Sequence, residues 1–189
     1  MTESASWSPR PGHTALIVVD LQEKLLPVMR DGAEVVARIE AMIAGARALG
    51  VRVFVTEQNP RGLGGTQPAI AETHAERPRE KRSFSCFGAE GLADDLIDAE
   101  IDTLVLAGIE THICVQATAL DALERGYRVL VARDAVTTRR AATHPAGLAR
   151  MAEAGVRTTS AEGFLFELMR DCDDPAFRDV LGIVRGFSE

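Results

Sequence analysis

At 189 residues, with 46% hydrophobic and 26% charged, the chain suits one domain with enough apolar surface to offset chain entropy and avoid disorder. Its net charge of −7 argues against nucleic acid or an anionic membrane as the main partner, because both select a basic face. The longest purely apolar runs, Ala15 to Val19 and Leu104 to Ala107, fall well short of the roughly 20 residues that a membrane-spanning helix needs.

The opening MTESASWSPRPG has neither an apolar core nor a cleavage signal. It reads as a flexible polar arm over 1–12, ahead of a single domain over 13–189. His13 to Asp20 reads as a strand buried on both faces, with a polar residue at its end. Asp31 to Gly50 reads as a helix capped by Asp31 and ended by Gly50. Its apolar positions Val35, Val36, Ile39, Met42, Ile43 and Ala46 recur at helical spacing. Val51 to Thr56 is the next strand, and Asn59 to Gly65 (NPRGLGG) is expected to be irregular loop. Arg79 to Phe87 holds at most a short strand, and Gly88 to Ala99 reads as a helix. Asp102 to Gly108 is a strong strand, followed by a helix over His112 to Arg125. Tyr127 to Ala132 and Gly155 to Thr159 complete the strands, with helices at His144 to Ala154 and Ala161 to Arg170. Such alternation predicts an α/β fold, a parallel sheet with helices on both faces.

In such sheets ligands bind beyond the carboxyl ends of the strands. The residues there are Asp20 and Gln22, Glu57 and Gln58, Ile109 to Cys114, and Asp134 to Thr138. Cys114 stands out, at a strand–helix junction where unpaired N–H groups and the helix dipole favour thiolate. A free cysteine with pKa about 8.5 is only about 3% thiolate at pH 7. The helix end contributes ~0.3–1 kcal/mol, under one pKa unit, so further partners are required. A lysine at about 4 Å adds roughly 4 kcal/mol at an effective dielectric near 20. A carboxylate serves instead as a general base. Lys81 and Asp20 are the candidates for these roles. The three cysteines, Cys86, Cys114 and Cys172, form no CxxC pair. This excludes zinc-knuckle and thioredoxin-like motifs and points to a reducing, cytoplasmic setting.

Four segments in order, LIVVDLQEKLLP, TEQNPRGLG, EKRSFSCF and AGIETHICVQATALDALERGY, resemble the isochorismatase-like cysteine hydrolase superfamily, in its branch of isochorismatase-domain proteins. The resemblance runs from about His13 to Phe187. It implies a three-layer α-β-α fold with a six-stranded parallel sheet in the order 3-2-1-4-5-6. It also implies an Asp–Lys–Cys triad at Asp20, Lys81 and Cys114, and a cis peptide at Ile109–Glu110. The backbone N–H groups of Glu110 and Cys114 would then form an oxyanion hole. The implied activity is a hydrolase cleaving a C–N (amide or ureide) or related bond of a small molecule. Gln22, Gln58, Phe84 and Phe87 are candidate pocket residues, and Gln22 is also expected to support the Asp20 loop through hydrogen bonds. The resemblance further implies a homo-oligomer, with Phe164 to Met169 and Val180 to Val184 as candidate contacts.

Nicotinamidases of this superfamily carry a metal-binding Asp-x-His pair after the second strand, where this chain reads Thr56-Glu57-Gln58-Asn59. No metal site and no cofactor are therefore expected. Plainer readings remain for the same residues. Cys114 as an inert core cysteine, Asp20 as a turn carboxylate and Lys81 as one of a surface basic run with Arg77, Arg79 and Arg82 would suit a binding or scaffold member of the fold. A vinyl ether hydrolase also fits the motifs. A thiol redox protein is disfavoured by the absence of a resolving cysteine nearby in sequence. Cys86 reads as packing, Cys172 as incidental, His112 as structural, and the glycines at 62, 64 and 65 as a turn-rich loop.

Overall fold

The computed structural model describes residues 8–74 and 76–186. Its six strands are β1 (Thr14–Val19), β2 (Arg52–Gln58), β3 (Arg79–Lys81), β4 (Thr103–Ile109), β5 (Arg128–Thr137) and β6 (Arg157–Thr159). They form one all-parallel sheet in the order β3-β2-β1-β4-β5-β6. The central strands are buried on both faces because each face carries its own apolar layer. Leu16 and Val18 of β1 face one cluster, while Ala15, Ile17 and Val19 face the other.

The first layer contains α1 (Gly32–Ala48), α7 (Ala161–Met169) and α8 (Phe177–Val184). The second contains α4 (Leu92–Asp98), α5 (Gln116–Glu124) and α6 (Thr143–Glu153). Two short helices, α2 (Pro60–Leu63) and α3 (Pro68–His74), lie between β2 and β3. None of the described helices is long and apolar enough to cross a membrane.

Several expectations change on contact with the structure. Asp31 does not cap α1 through its side chain. It adopts a left-handed conformation, and its carbonyl accepts the Val35 N–H at 3.0 Å. Gly50 does end that helix, with φ +70°. Its N–H bonds Arg47 O and the Val51 N–H bonds Ala46 O, the paired closure of a Schellman motif. The segment expected as loop over 59–65 contains α2, which begins on Pro60, where a missing N–H costs nothing. Of the expected arm, residues 1–7 lie outside the described residues. Pro9 is buried, and Arg10 pairs with Asp102 at 3.0 Å. Phe164, Leu165, Leu168, Met169, Val180 and Val184, proposed as subunit contacts, are instead buried within the chain's own core. β5 runs to Thr137, beyond the expected Ala132. Between the Leu106–Val131 and Gly108–Val136 pairs it advances five residues while β4 advances two. This bulge carries Thr137 alongside Ile109 and sets Thr138 and Arg139 at the end of β4.

Candidate active site

The end of β1 sits between the ends of β2 and β4, where the strand order reverses direction. Asp20 follows β1 with φ +53° and is fully buried. Aspartate tolerates this left-handed conformation better than most side chains. The Asp20 N–H bonds Thr56 O at 3.2 Å, and the Asp20 carbonyl accepts the Gln22 N–H at 2.8 Å. Both carboxylate oxygens are engaged. The Thr56 hydroxyl donates to Oδ1 at 2.9 Å, and Lys81 Nζ donates to Oδ2 at 2.7 Å.

Lys81 ends the edge strand β3, yet its side chain is wholly buried. Its ammonium also donates to Gln58 Oε1 at 2.9 Å, Phe84 O at 3.1 Å and Ser83 O at 3.2 Å. With these acceptors the charge is spent on Asp20 and on shaping the 82–85 loop. A buried ion pair is tolerable only when its remaining groups are satisfied in this way.

Cys114 is placed differently from the sequence expectation. It is the fourth residue of a π-helical turn, Thr111–Val115, that leads into α5, and it is buried. Burial pushes its thiol well above the ordinary range. The charge of Asp20 and a hydrogen bond to that carboxylate add to the shift, and Lys81 opposes it. Burial and the Asp20 charge thus favour the neutral thiol here, opposite to the helix-dipole expectation. The Ile109–Glu110 peptide before this turn is cis.

Gln22, expected on the pocket wall or as a hydrogen-bonding support of the Asp20 loop, is fully buried and takes the second role. Its Nε2 donates to Gln58 O and Gly64 O, and its Oε1 accepts the Gln58 N–H, so it clamps loops together. Gln58 is likewise consumed, with Oε1 on Lys81 and Nε2 on Arg82 O. Phe87 stacks on Tyr127 at 5.8 Å, and the Arg125 guanidinium lies 4.6 Å from its ring centroid. Phe84 alone among the four pocket candidates is strongly exposed, at 61%.

Residues outside the expected triad also border this site, and Cys86, read as packing, is among them. Cys86 is fully buried, and its Sγ lies 3.4 Å from Thr56 Oγ1. The Thr56 proton points at Asp20, so the thiol is the donor in that contact. Burial, then the charge of Asp20, pushes the Cys86 thiol up to about 11. The Thr118 hydroxyl accepts the Cys86 N–H at 3.0 Å and donates to Cys114 O at 2.7 Å, joining the Lys81 loop to the Cys114 helix. Thr56 lies within a predicted strand, and its alignment with Asp20 follows from the β1–β2 register, Val19 opposite Thr56.

An isochorismatase domain model matches residues 14–163. The chain belongs to the isochorismatase family. Among curated relatives, isochorismatase domain-containing protein 1 of Salmo salar is 33% identical over 175 residues, which is 93% of this chain. The chain spans only 62% of that relative's length. Among solved structures, one titled MAR1 ribonuclease, from Caenorhabditis elegans, superposes with TM-score 0.91 and 33% identity, covering 97% of this chain and 95% of the other. YcaC from Pseudomonas aeruginosa, solved with hexane-2,5-diol and covalent acrylamide, gives TM-score 0.85 and 26% identity over 97% and 93% of the two chains.

In this isochorismatase-family chain no group of three or more His, Cys, Asp or Glu among the described residues is arranged to hold a metal ion. A cavity of about 540 Å³ opens beside the Lys81 loop, lined by Asn59, Arg61, Arg82, Ser83 and Glu90. Glu80 and Lys81 of β3 also line it.

Proposed function

We propose that this protein is a metal-independent cysteine hydrolase that cleaves a C–N or ester-like bond of a small amide, ureide or related molecule. One observation carries the reading: a buried carboxylate, fixed by a lysine at 2.7 Å, lies beyond the ends of the central strands, and its charge acts on the buried thiol of Cys114 in the turn after β4.

Because the Cys114 thiol is raised, Asp20 takes its proton as the sulfur attacks, rather than before. Lys81 keeps Asp20 in place. The N–H groups of Glu110 and Cys114 stabilise the oxyanion, the leaving group departs, and water releases the acyl group from sulfur. The covalent acrylamide of the Pseudomonas YcaC structure is what a reactive nucleophile leaves, and it supports a nucleophilic role in this fold. The ribonuclease title belongs to the Caenorhabditis protein. A net charge of −7 here opposes binding to a polyanion. Homo-oligomeric assembly belongs to the same reading, with the exposed apolar side chains Val28, Phe84 and Ile97 available to a subunit contact.

The test is a screen of small amides, ureides and esters, comparing wild type with Cys114→Ala. Turnover confined to the wild type is the expected result. Equal turnover by both proteins rejects the reading.

A further inference from the structure

Glu110 carries a second set of interactions that the triad does not use. Its side chain is largely buried, at 9% exposure, and reaches across to the end of β5. There Oε2 accepts the Thr138 hydroxyl at 3.0 Å, the Arg139 N–H at 3.0 Å and the Arg139 Nε at 3.2 Å, while Oε1 lies 3.0 Å from Arg139 Nε. Burial is the largest single influence on this carboxyl and opposes ionisation. The bonds from Arg139 and Thr138 together outweigh it and hold the group below the ordinary carboxylate range. At the other end of the same residue, Glu110 O accepts the N–H groups of Ile113 at 3.0 Å and Val115 at 3.3 Å. These flank Cys114 on both sides. One residue is therefore fastened to β5 by its side chain and to the Cys114 turn by its carbonyl.

The tie extends further. Thr138 Oγ1 also lies 3.2 Å from His112 Nδ1 and 3.1 Å from Thr143 Oγ1, and the Thr111 hydroxyl donates to Thr137 O at 3.0 Å. Each bond joins the Thr111–Val115 turn, or α6 behind it, to Thr137 or Thr138 at the end of β5. Because these partners outweigh burial, the carboxylate is held ionised in one geometry, a directional constraint that an apolar pair would not impose.

We propose that the Glu110 carboxylate is a positioning group that fixes the backbone N–H groups of Glu110 and Cys114 for acyl transfer. This inference rests on the cysteine-hydrolase reading and deepens it. Glu110 acts through its own backbone and through the turn it anchors. Its carboxylate takes no part in bond making. Losing the anchor leaves the thiol and Asp20 in place but loosens the donors that meet the developing oxyanion. A misplacement of about 1 Å costs on the order of 100-fold in such a step.

The experiment compares two probes on wild type, Glu110→Ala and Glu110→Gln. p-Nitrophenyl acetate reads acyl transfer: sulfur attacks the carbonyl carbon, an oxyanion forms, p-nitrophenolate leaves, and an acetyl thioester remains on Cys114, followed by intact-protein mass. Iodoacetamide reads displacement at a saturated carbon: sulfur bonds carbon and iodide leaves, with no oxyanion at the carbon attacked. Glu110→Ala is expected to lower the acylation rate about 10- to 100-fold while alkylation of Cys114 stays within about threefold. Glu110→Gln keeps an acceptor for Thr138 and the Arg139 N–H and is expected to restore most of the lost acylation. Unchanged acylation in Glu110→Ala overturns the inference, as does a parallel fall in both rates. Failure of wild-type Cys114 to acylate at all rejects the hydrolase reading itself, so the two failures are distinguishable.

Discussion

Removing Lys81 alone should damage the fold more than removing Lys81 and the Asp20 charge together. The pair is 2.7 Å apart with both side chains at or below 1% exposure. At an effective dielectric near 20 its attraction is about 6 kcal/mol, set against a desolvation cost of several kcal/mol for each ion. The two nearly cancel, so the pair as a unit adds little. Lys81→Met breaks that balance by leaving Asp20 charged and buried, at an expected cost of about 3–5 kcal/mol. It also strips a donor from Gln58 Oε1, Ser83 O and Phe84 O. Asp20→Asn leaves Lys81 buried without its counter-ion, at a similar cost. In the double variant neither charge remains, and the introduced side-chain amide still offers an oxygen to Thr56. Urea unfolding of the four proteins should place the double variant no lower than the less stable single. A double variant destabilised by the sum of the singles would refute the reasoning, because the charges would then be acting independently.

Two further outcomes follow from the same region. The Cys86 thiol, pushed up from 9.0 to about 11 by burial, stays protonated in the folded state where the unfolded chain ionises. Its stabilising contribution is therefore complete below about pH 9 and is lost as pH rises toward 11, by about 3 kcal/mol for the two units. Cys86→Ala should flatten this part of the alkaline limb in pH-dependent urea unfolding, and an unaltered limb would contradict the assignment. Gly108→Ala should destabilise by about 3 kcal/mol or more in thermal unfolding. A Cβ there would lie 2.1 Å from Val19 O, on a backbone with φ +115°. A near-neutral Gly108→Ala would show that β1 and β4 are not so closely opposed.

The parts of this molecule readable in the sequence are those with a strong local signal. β1 and β4 are short apolar runs buried on both faces, and Asp20 follows the first of them. The site's long-range partners were readable chiefly through the motif resemblance, since Lys81 is 61 residues from Asp20 and meets it only through sheet order. The π-helical turn escaped because five residues cannot distinguish its period from that of the α-helix it enters. The full length of β5 escaped because Arg133 and Asp134 interrupt its apolar pattern within the bulge. The same bulge hid the Glu110 clamp, whose partner Thr138 is 28 residues away. Gln22 and Gln58 were sited at the correct strand ends, but neighbouring groups absorb their amides. The supporting role of Gln22 was readable from its place after β1, while that of Gln58, which depends on Lys81 and Arg82 across the sheet, was not.

The most direct test of the central claim is the acrylamide reaction of wild type and Asp20→Asn near neutral pH, with the modified residue located by peptide mass. If Cys114 is the nucleophile and Asp20 its base, the adduct forms on Cys114 ahead of Cys86 and Cys172, and Asp20→Asn slows it about 100-fold. An adduct formed first on Cys172, or an Asp20→Asn protein that reacts as fast as wild type, would contradict the account.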